Sequence, residues 1–242
     1  MHSCPGKSSL QKILPMVFAL LLSLPTSSFA LEAFSATYKL QFNQEVKGET
    51  QFSLLLKNNE YSFEAFTLPQ GKLAALNSKH EVLETSHGHF VAGRPEPDTY
   101  YFAVRNASGT QMLELFFDWK KQLLSLRGDT QQQKFKLEKG SQDRLSYILR
   151  AMMLAQSHQR EARFKQVSVS GTEEITLKKK LQQYITTPAG RYLAIEISIE
   201  SNKAQSARSL WLAVKHNYIP LILTKHTNKG QVQMEITKLG KP

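Results

Sequence analysis

The chain has 242 residues, a formal net charge of +11 and a single cysteine, Cys4. One cysteine cannot form a disulfide within the chain, so a protein of this length has to be stabilised by a hydrophobic core. The basic residues are scattered, and the densest run is only Lys178–Lys180. Such a distribution is typical of solubilising residues on strand edges and lacks a polybasic nucleic-acid-binding tail, so we predict no nucleic acid partner.

Residues 1–30 contain the three parts of a secretory signal peptide in order. Two lysines precede an apolar stretch over residues 13–24, and residues 28–30 form a small-x-small cleavage pattern. We predict cleavage after Ala30, which removes Cys4 and leaves an exported chain of about 212 residues with a charge of +9 and no transmembrane segment. The alternative is an uncleaved anchor, but a membrane-spanning helix needs about 20 apolar residues.

The exported part opens with a two-residue alternation of apolar and polar side chains, which is typical of a half-buried antiparallel strand. Residues 34–42 show the alternation without a break. Residues 46–56 and 61–68 continue it on either side of Asn58-Asn59, a pair that favours a tight turn because Asn tolerates positive φ. We therefore predict a β-meander at the start of the exported domain.

Residues 69–97 have a less regular pattern. One helical turn is predicted over residues 72–77, and a strand interrupted by a turn at Gly88 over residues 80–91. Residues 94–97 contain two prolines, which remove hydrogen-bond donors, so we exclude them from a central strand. Further short strands are predicted over residues 99–105, 112–119, 122–127 and 133–138.

One helix is predicted over about residues 143–159. Asp143 is a candidate N-cap, and Leu145, Ile148 and Met152 follow at helical spacing. This apolar stripe has to pack on a large apolar surface, and a β-sheet face is the partner that the rest of the sequence offers.

After the helix the alternation returns, with short connectors such as Asn228-Lys229-Gly230 that favour antiparallel neighbours. About a dozen strands exceed what a flat open sheet holds. We predict a mainly β, single-domain fold over residues 31–242, an antiparallel and strongly curved sheet or incomplete barrel with one packed helix; a two-sheet sandwich is the alternative. The later strands are predicted over residues 164–170, 174–187, 192–200, 209–214, 218–226 and 231–239.

Motifs for catalysis and metal binding are missing from the exported sequence, which has no nucleophile elbow and no glycine-rich phosphate loop. His80, His87 and His89 form its most metal-like group, but nothing in the sequence places His80 near the other two. Glu114 and Asp118 share a predicted strand face, an arrangement that is also common on solvated strands. We therefore predict no catalytic residue, no metal site and no cofactor.

Aromatic residues on strands give the stronger indication of a site. Inward alternation brings many of them together, either in a filled core, which we favour for most, or around an apolar groove suited to an anionic amphiphile. The candidate residues for this ligand-binding groove are Phe34, Tyr38, Phe42, Phe52, Phe116, Met152 and Trp211.

Several short blocks, in this order and spacing, resemble the bacterial exported family known as domain of unknown function 3108. The resemblance implies a bacterial envelope protein, periplasmic in a Gram-negative cell, and it implies no catalytic residue. The blocks are Val46–Glu49, Phe117–Trp119, Asp143–Ser146, Thr187–Gly190, Leu210–Leu212 and Tyr218–Leu221.

Three hypotheses for the function follow from these patterns. The leading one is a non-enzymatic periplasmic binding or carrier module for a lipid, a lipidated protein or an envelope polymer. The second is a scaffold that acts through its surface on an envelope protein complex. The third is a hydrolase on a glycan or ester with an unfamiliar site. The oligomeric state is not predicted.

Overall fold

The computed structural model describes residues 1–2, 31–70, 81–168, 171–203 and 207–240. Nearly all of the predicted signal peptide lies outside these residues, as do the predicted helical turn at residues 72–77 and His80.

The described residues contain fourteen strands and one α-helix, close to the elements predicted from the two-residue and helical periodicities. The helix is α1 (Ser146–Gln156). The strands are β1 (Phe34–Phe42), β2 (Glu45–Lys57), β3 (Glu60–Pro69), β4 (Glu81–Val91), β5 (Arg94–Asn106), β6 (Gly109–Asp118), β7 (Leu123–Gly128), β8 (Gln132–Lys136), β9 (Glu161–Ser168), β10 (Gly171–Thr187), β11 (Gly190–Ser201), β12 (Arg208–Ala213), β13 (Pro220–Thr227) and β14 (Gly230–Gly240).

All fourteen strands belong to one antiparallel sheet, in the order β8-β7-β6-β5-β4-β3-β2-β1-β14-β13-β12-β11-β10-β9. The first and last strands pair in the middle of the sheet, and β8 and β9 are its two edges. Because β8 and β9 do not pair, the sheet stays open instead of closing into a barrel. This confirms the predicted antiparallel incomplete barrel and contradicts the sandwich alternative, which requires two sheets.

Tight turns at residues of positive φ set the register of the first strands. Asn58 and Asn59 have φ values of 48° and 70°, as a two-residue turn between twisted strands requires. The predicted Asn58-Asn59 turn is therefore confirmed, and it pairs Lys57 with Glu60 at the end of the β2–β3 hairpin.

Helix α1 lies against strands from distant parts of the sheet, namely β5 and β9 to β12. Such contacts require a strongly curved sheet, with the helix on its concave side. Ile148, Leu149 and Met152 of the helix are buried in one hydrophobic cluster with strand residues. The helix is shorter than predicted, because Ser157 has extended backbone and ends it at Gln156. No helix among the described residues has the length and apolar character needed to cross a membrane.

The segment before the helix connects the two sides of the open sheet. Its Gln142 forms backbone hydrogen bonds to Lys165 and Val167 along the outer edge of β9. The Gln142 side-chain amide also donates to the carbonyl of Pro95 in β5, at 2.9 Å. This segment thus covers part of an otherwise free edge and fixes the start of the helix between β5 and β9.

The predicted strand start at Thr99 is wrong, because β5 begins at Arg94, and Pro95 and Pro97 lie within it and pair with β4. The pairing of β5 with β6 begins only at Thr99, so both prolines lie where β5 has a single strand neighbour. Trp119 donates a side-chain hydrogen bond to the carbonyl of Pro97 on that side. The missing donors are therefore tolerated as they are on an edge strand.

The predicted turn at Gly88 is also wrong, since Gly88 lies inside β4 at a register shift. A Cβ atom there would approach the carbonyl oxygen of Glu96 to 2.3 Å and the Tyr61 hydroxyl to 2.7 Å. Glycine is required at this position because two neighbouring strands come unusually close, as at many bulges.

Candidate functional site

A cavity of about 490 Å³ lies between the first turn of α1 and the concave face of the sheet. Its volume falls in the range of small-molecule sites. Solvent reaches it, because two of its lining side chains, Lys225 and Arg144, are substantially exposed. The apolar part of the lining consists of Phe52, Ala65, Leu145, Ile148, Ile199, Leu210, Leu223, Val232 and Met234.

The cavity forms where the inward-facing residues of the strands become small and polar. Along β2 the inward positions run Leu54, Phe52 and Thr50, and the last two line the cavity. Thr50 lies opposite Thr67 of β3, and their hydroxyls form a hydrogen bond of 2.8 Å. The two hydroxyls satisfy each other, so this wall is polar without requiring a ligand.

The opposite wall shows the same change along β12 and β13. Leu210 pairs with Leu223 one layer inward, and Arg208 pairs with Lys225 at the end nearer solvent. All of these side chains line the cavity. An apolar interior therefore leads directly into a positively charged rim.

Arg208 is held by two neighbouring strands. Its Nη1 donates to Gln166 of β9 at 3.1 Å, and its Nη2 donates to Glu173 of β10 at 3.4 Å. The side chain is 14% exposed, and its buried Nε–H makes no hydrogen bond within the part of the chain that the structure describes. A buried donor without a partner costs stability, so this N–H is an unused hydrogen-bond donor of the folded protein.

A second charged group lies on the wall formed by β4 and the start of the helix. Arg144 pairs with Glu84 at 3.4 Å, and its guanidinium lies over the ring of Phe102. Tyr100 donates to the other oxygen of Glu84 at 2.6 Å. Burial and the neighbouring Glu84 charge raise the pKa of Tyr100, so its hydroxyl stays protonated and serves as a fixed donor.

Asp143, behind this wall, is fully buried and caps the helix. Its Oδ1 accepts the backbone N–H groups of Leu145 and Ser146, and the Ser146 hydroxyl accepts the Asp143 N–H. Ser86 donates to its Oδ2 at 2.6 Å, and the Tyr61 hydroxyl lies 3.2 Å from Ser86. Burial raises the pKa of Asp143 to about 6. Asp143 accepts N–H groups at the helix start, as a capping side chain does, although the N-cap position itself is Leu145. These contacts explain the carboxylate without assigning it a catalytic step.

The residues predicted for the apolar groove separate into different environments. Phe52 lines the cavity, and its ring also packs on those of Tyr38 and Phe63, with centroids at 4.8 and 5.4 Å. The remaining predicted residues lie away from the lining. Phe34, Tyr38 and Met152 are buried in the core, Phe42 and Trp211 are half-buried, and Phe116 is exposed on the outer face of β6.

The charged residues of the cavity, above all Arg208 and Lys225, are not among the site residues predicted from the sequence. A signal for Arg208 exists, since it alternates with the buried Leu210 and Leu212 and therefore shares their face of β12. The groove was predicted from aromatic residues and Met152, so Arg208 was not included. The pairing of Arg208 with Lys225 could not be read from the sequence, because it depends on the register between strands.

The histidines considered as metal ligands do not converge in the described residues. His89 lies 3.0 Å from Asp98 through its Nδ1, while His87 is exposed. Among the described residues there is no group of three or more histidine, cysteine, aspartate or glutamate side chains arranged to hold a metal ion.

The fold is similar to that of a solved bacterial protein, and two further solved structures match with lower scores. A beta-barrel-like protein of the domain of unknown function DUF1849 from Brucella abortus superposes with a TM-score of 0.56, at 11% identity over 88% of this chain and 98% of that one. A protein described as exported, with a YmcC-like fold, from Bacteroides fragilis gives 0.37, at 10% identity over 87% and 96%. A protein described as a lipoprotein from Parabacteroides distasonis gives 0.33, at 10% identity over 86% and 95%.

No curated protein matches the chain. The family described as protein of unknown function DUF3108 matches residues 33–237, which include the helix and nearly the whole sheet. The resemblance found in the sequence is thereby confirmed. The chain belongs to the DUF3108 family.

Proposed function

We propose that this protein is a non-enzymatic binding or carrier module of the bacterial cell envelope, which holds a lipid, a lipidated protein or an envelope polymer in its cavity. The observation that carries the proposal is the cavity of about 490 Å³, with apolar side chains inside and charged side chains at its rim. Apolar pockets with a few convergent polar groups are the usual form of a ligand site.

The described cavity contains the elements of a binding site more clearly than those of an active site. Its two carboxylates, Glu84 and Glu173, each pair with an arginine. The carboxylate with a raised pKa, Asp143, contacts the helix start and Ser86 and does not line the cavity. These contacts favour recognition and positioning of a ligand over acid-base catalysis.

Native mass spectrometry of the exported protein, purified from envelope extracts without detergent, tests this proposal. We expect a reproducible adduct of defined mass. Ala65 lines the cavity, so Ala65→Leu should remove the adduct by filling the space, whereas Ala107→Leu in an exposed turn should retain it. If no preparation of the protein carries an adduct, or if Ala65→Leu leaves the adduct unchanged, the proposal of a ligand in the cavity is contradicted.

The envelope location rests on the predicted signal peptide. N-terminal sequencing of the protein from a periplasmic extract should begin at Leu31, the residue after the predicted cleavage site. Recovery of the chain from the cytoplasm with its first thirty residues attached would overturn the export proposal.

A second candidate function, surface binding of an envelope protein, is favoured by one feature of β10. Its pairing with β9 ends at Lys178, so the following part of β10 has no strand on that side in the described residues. Leu181 and Tyr184 on this segment are 89% and 61% exposed. An unpaired edge with apolar side chains can accept a further strand.

A photo-crosslinking residue at position 181 tests this second candidate in cells. One dominant protein adduct, absent when the probe is moved to the exposed position 107, would support a partner at this edge. If the protein forms no crosslinked adduct with the probe at either position, the proposed partner at this edge is eliminated.

A further inference from the structure

Two cations lie side by side on the cavity wall. Arg208 on β12 and Lys225 on β13 are directly opposite each other in the register of the sheet, and both line the cavity. Side chains in such positions project from the same face with Cβ atoms about 5 Å apart, and like charges placed this way destabilise a sheet. An anion between them would remove this repulsion.

The carboxylates of the cavity neutralise only one member of this pair. Glu84 pairs with Arg144, and Glu173 pairs with Arg208. Lys225 forms no ion pair within the described part of the chain, and the buried Nε–H of Arg208 makes no hydrogen bond there. The lining thus has one more positive than negative side chain, and the excess lies beside an unused guanidinium donor.

An apolar surface begins directly next to this charge. Leu210 and Leu223 lie two residues further along the same two strands, pair with each other and also line the cavity. A ligand bound to Arg208 and Lys225 through a charged group would therefore place its adjoining atoms against hydrocarbon. Free inorganic anions would leave that apolar surface uncovered.

We propose that Arg208 and Lys225 bind the anionic group, a carboxylate or a phosphate, of an amphiphile whose hydrocarbon chain lies along the apolar wall of the cavity. The guanidinium supplies directed N–H donors and the ammonium a mobile charge, a combination that suits either oxyanion. This inference rests on the proposed function and adds to it the charge and the polarity of the ligand.

Displacement of the neutral fluorescent probe 1-N-phenylnaphthylamine from the exported protein provides the test, with decanoate and decanol as competitors. The competitors share a chain length and differ in charge. Lys225→Gln removes an exposed lysine of the cavity rim, so the fold should be retained. Lys180→Gln makes the same charge change at an exposed position of β10 outside the lining. Inorganic phosphate is added as a third competitor.

We expect Lys225→Gln to weaken decanoate binding about tenfold, to leave decanol binding unchanged, and Lys180→Gln to affect neither. Equal affinity for decanoate in wild type and Lys225→Gln, or an equal loss for both competitors, would overturn the anion site while leaving a ligand cavity. If inorganic phosphate displaces the probe at the same concentration as decanoate, the site binds a free anion, and the proposed amphiphile is wrong. A wild-type protein that binds neither the probe nor either competitor would overturn the proposed function itself.

Discussion

The two ends of the curved sheet use the same strands in different ways. At one end Leu54, Phe63, Met152 and Leu212 are fully buried and belong to one hydrophobic cluster. At the other end the inward positions of the same strands hold Thr50 and other polar residues, and the cavity opens. A few polar or small residues at the ends of otherwise apolar strands therefore decide where such a sheet is filled and where it is hollow.

Polar groups differ between the helix start and the cavity as well. Behind the cavity wall, Asp143, Ser86 and Ser146 satisfy one another and the helix start. In the cavity, Arg208 retains an unsatisfied Nε–H and Lys225 has no described ion-pair partner. Satisfied polar groups stabilise the fold, whereas a buried donor without a partner costs stability.

The largest expected effect is on the free energy of unfolding, when a methionine is replaced at the buried end of the sheet and another in the cavity. Met152 is fully buried, whereas Met234 is half-buried and faces the cavity. Met152→Ala should lower the free energy of unfolding by about 4 kcal/mol, because it removes contacts on all sides. Met234→Ala should cost about 1 kcal/mol, since one side of that residue already lacks neighbours. Urea denaturation measures both, and equal losses would show that the cavity end is packed as tightly as the other.

Replacement of the buried cap should have the next largest effect. Asp143→Ala leaves the N–H groups of Leu145 and Ser146 and the hydroxyl of Ser86 without an acceptor, and we expect a loss of about 3 kcal/mol in unfolding free energy. Asp143→Asn should lose less, because it keeps an acceptor oxygen. Asp98→Ala, at an exposed carboxylate, is the control and should change stability by less than about 0.5 kcal/mol. A loss below that of the control would mean that the cap does not hold the helix.

The raised pKa of the Asp143 carboxyl group should make the stability of the protein depend on pH. Its pKa is 3.8 in an ordinary environment and about 6 in the folded protein, so the folded state holds the proton more tightly. The stabilisation linked to this proton is complete below pH 3.8 and is lost as the pH rises through 6. Relative to Asp143→Asn, the wild-type protein should lose at most about 3 kcal/mol between pH 4 and pH 7 in urea titrations. A constant difference over this range would contradict the raised pKa.

The smallest expected effect distinguishes two alanines that flank Phe52. Ala36 and Ala65 pair with Phe52 from opposite sides, but only Ala65 lines the cavity. Ala36→Leu should destabilise the protein by about 2 kcal/mol through overpacking. Ala65→Leu should fold with wild-type stability within about 1 kcal/mol and reduce binding of 1-N-phenylnaphthylamine. If thermal unfolding shows Ala65→Leu to be less stable than Ala36→Leu, the free space lies beside Ala36 and not beside Ala65.

Local patterns predicted the secondary structure closely. Alternation placed β1 at residues 34–42, as observed, and helical spacing placed α1 within a few residues. Errors occurred where tertiary contacts replace a local rule. Pro95 is tolerated in β5 because β6 is not yet its neighbour there, and Gly88 allows close strand contact instead of a turn. Neither condition can be read from the residues nearby.

The candidate site was harder to predict than the fold. The sequence indicated an apolar groove, but of its proposed residues Phe52 lines the observed cavity while Phe116 lies on the outer face. Burial alone does not distinguish a filled core from a cavity wall, since both use inward-facing apolar residues. The cavity depends on the sizes of residues that meet across the concave side of the sheet, and these belong to strands far apart in the chain.

Local sequence patterns are enough to specify an antiparallel β fold with one helix, because alternation, turn residues and capping act over a few neighbouring residues. The open sheet, the position of the helix within its curve, and the meeting of Arg208 and Lys225 beside an apolar cavity arise only in the folded chain. These features depend on strand register and sheet curvature. Both are set by the packing of the whole sheet around its core, so no local stretch of sequence contains them.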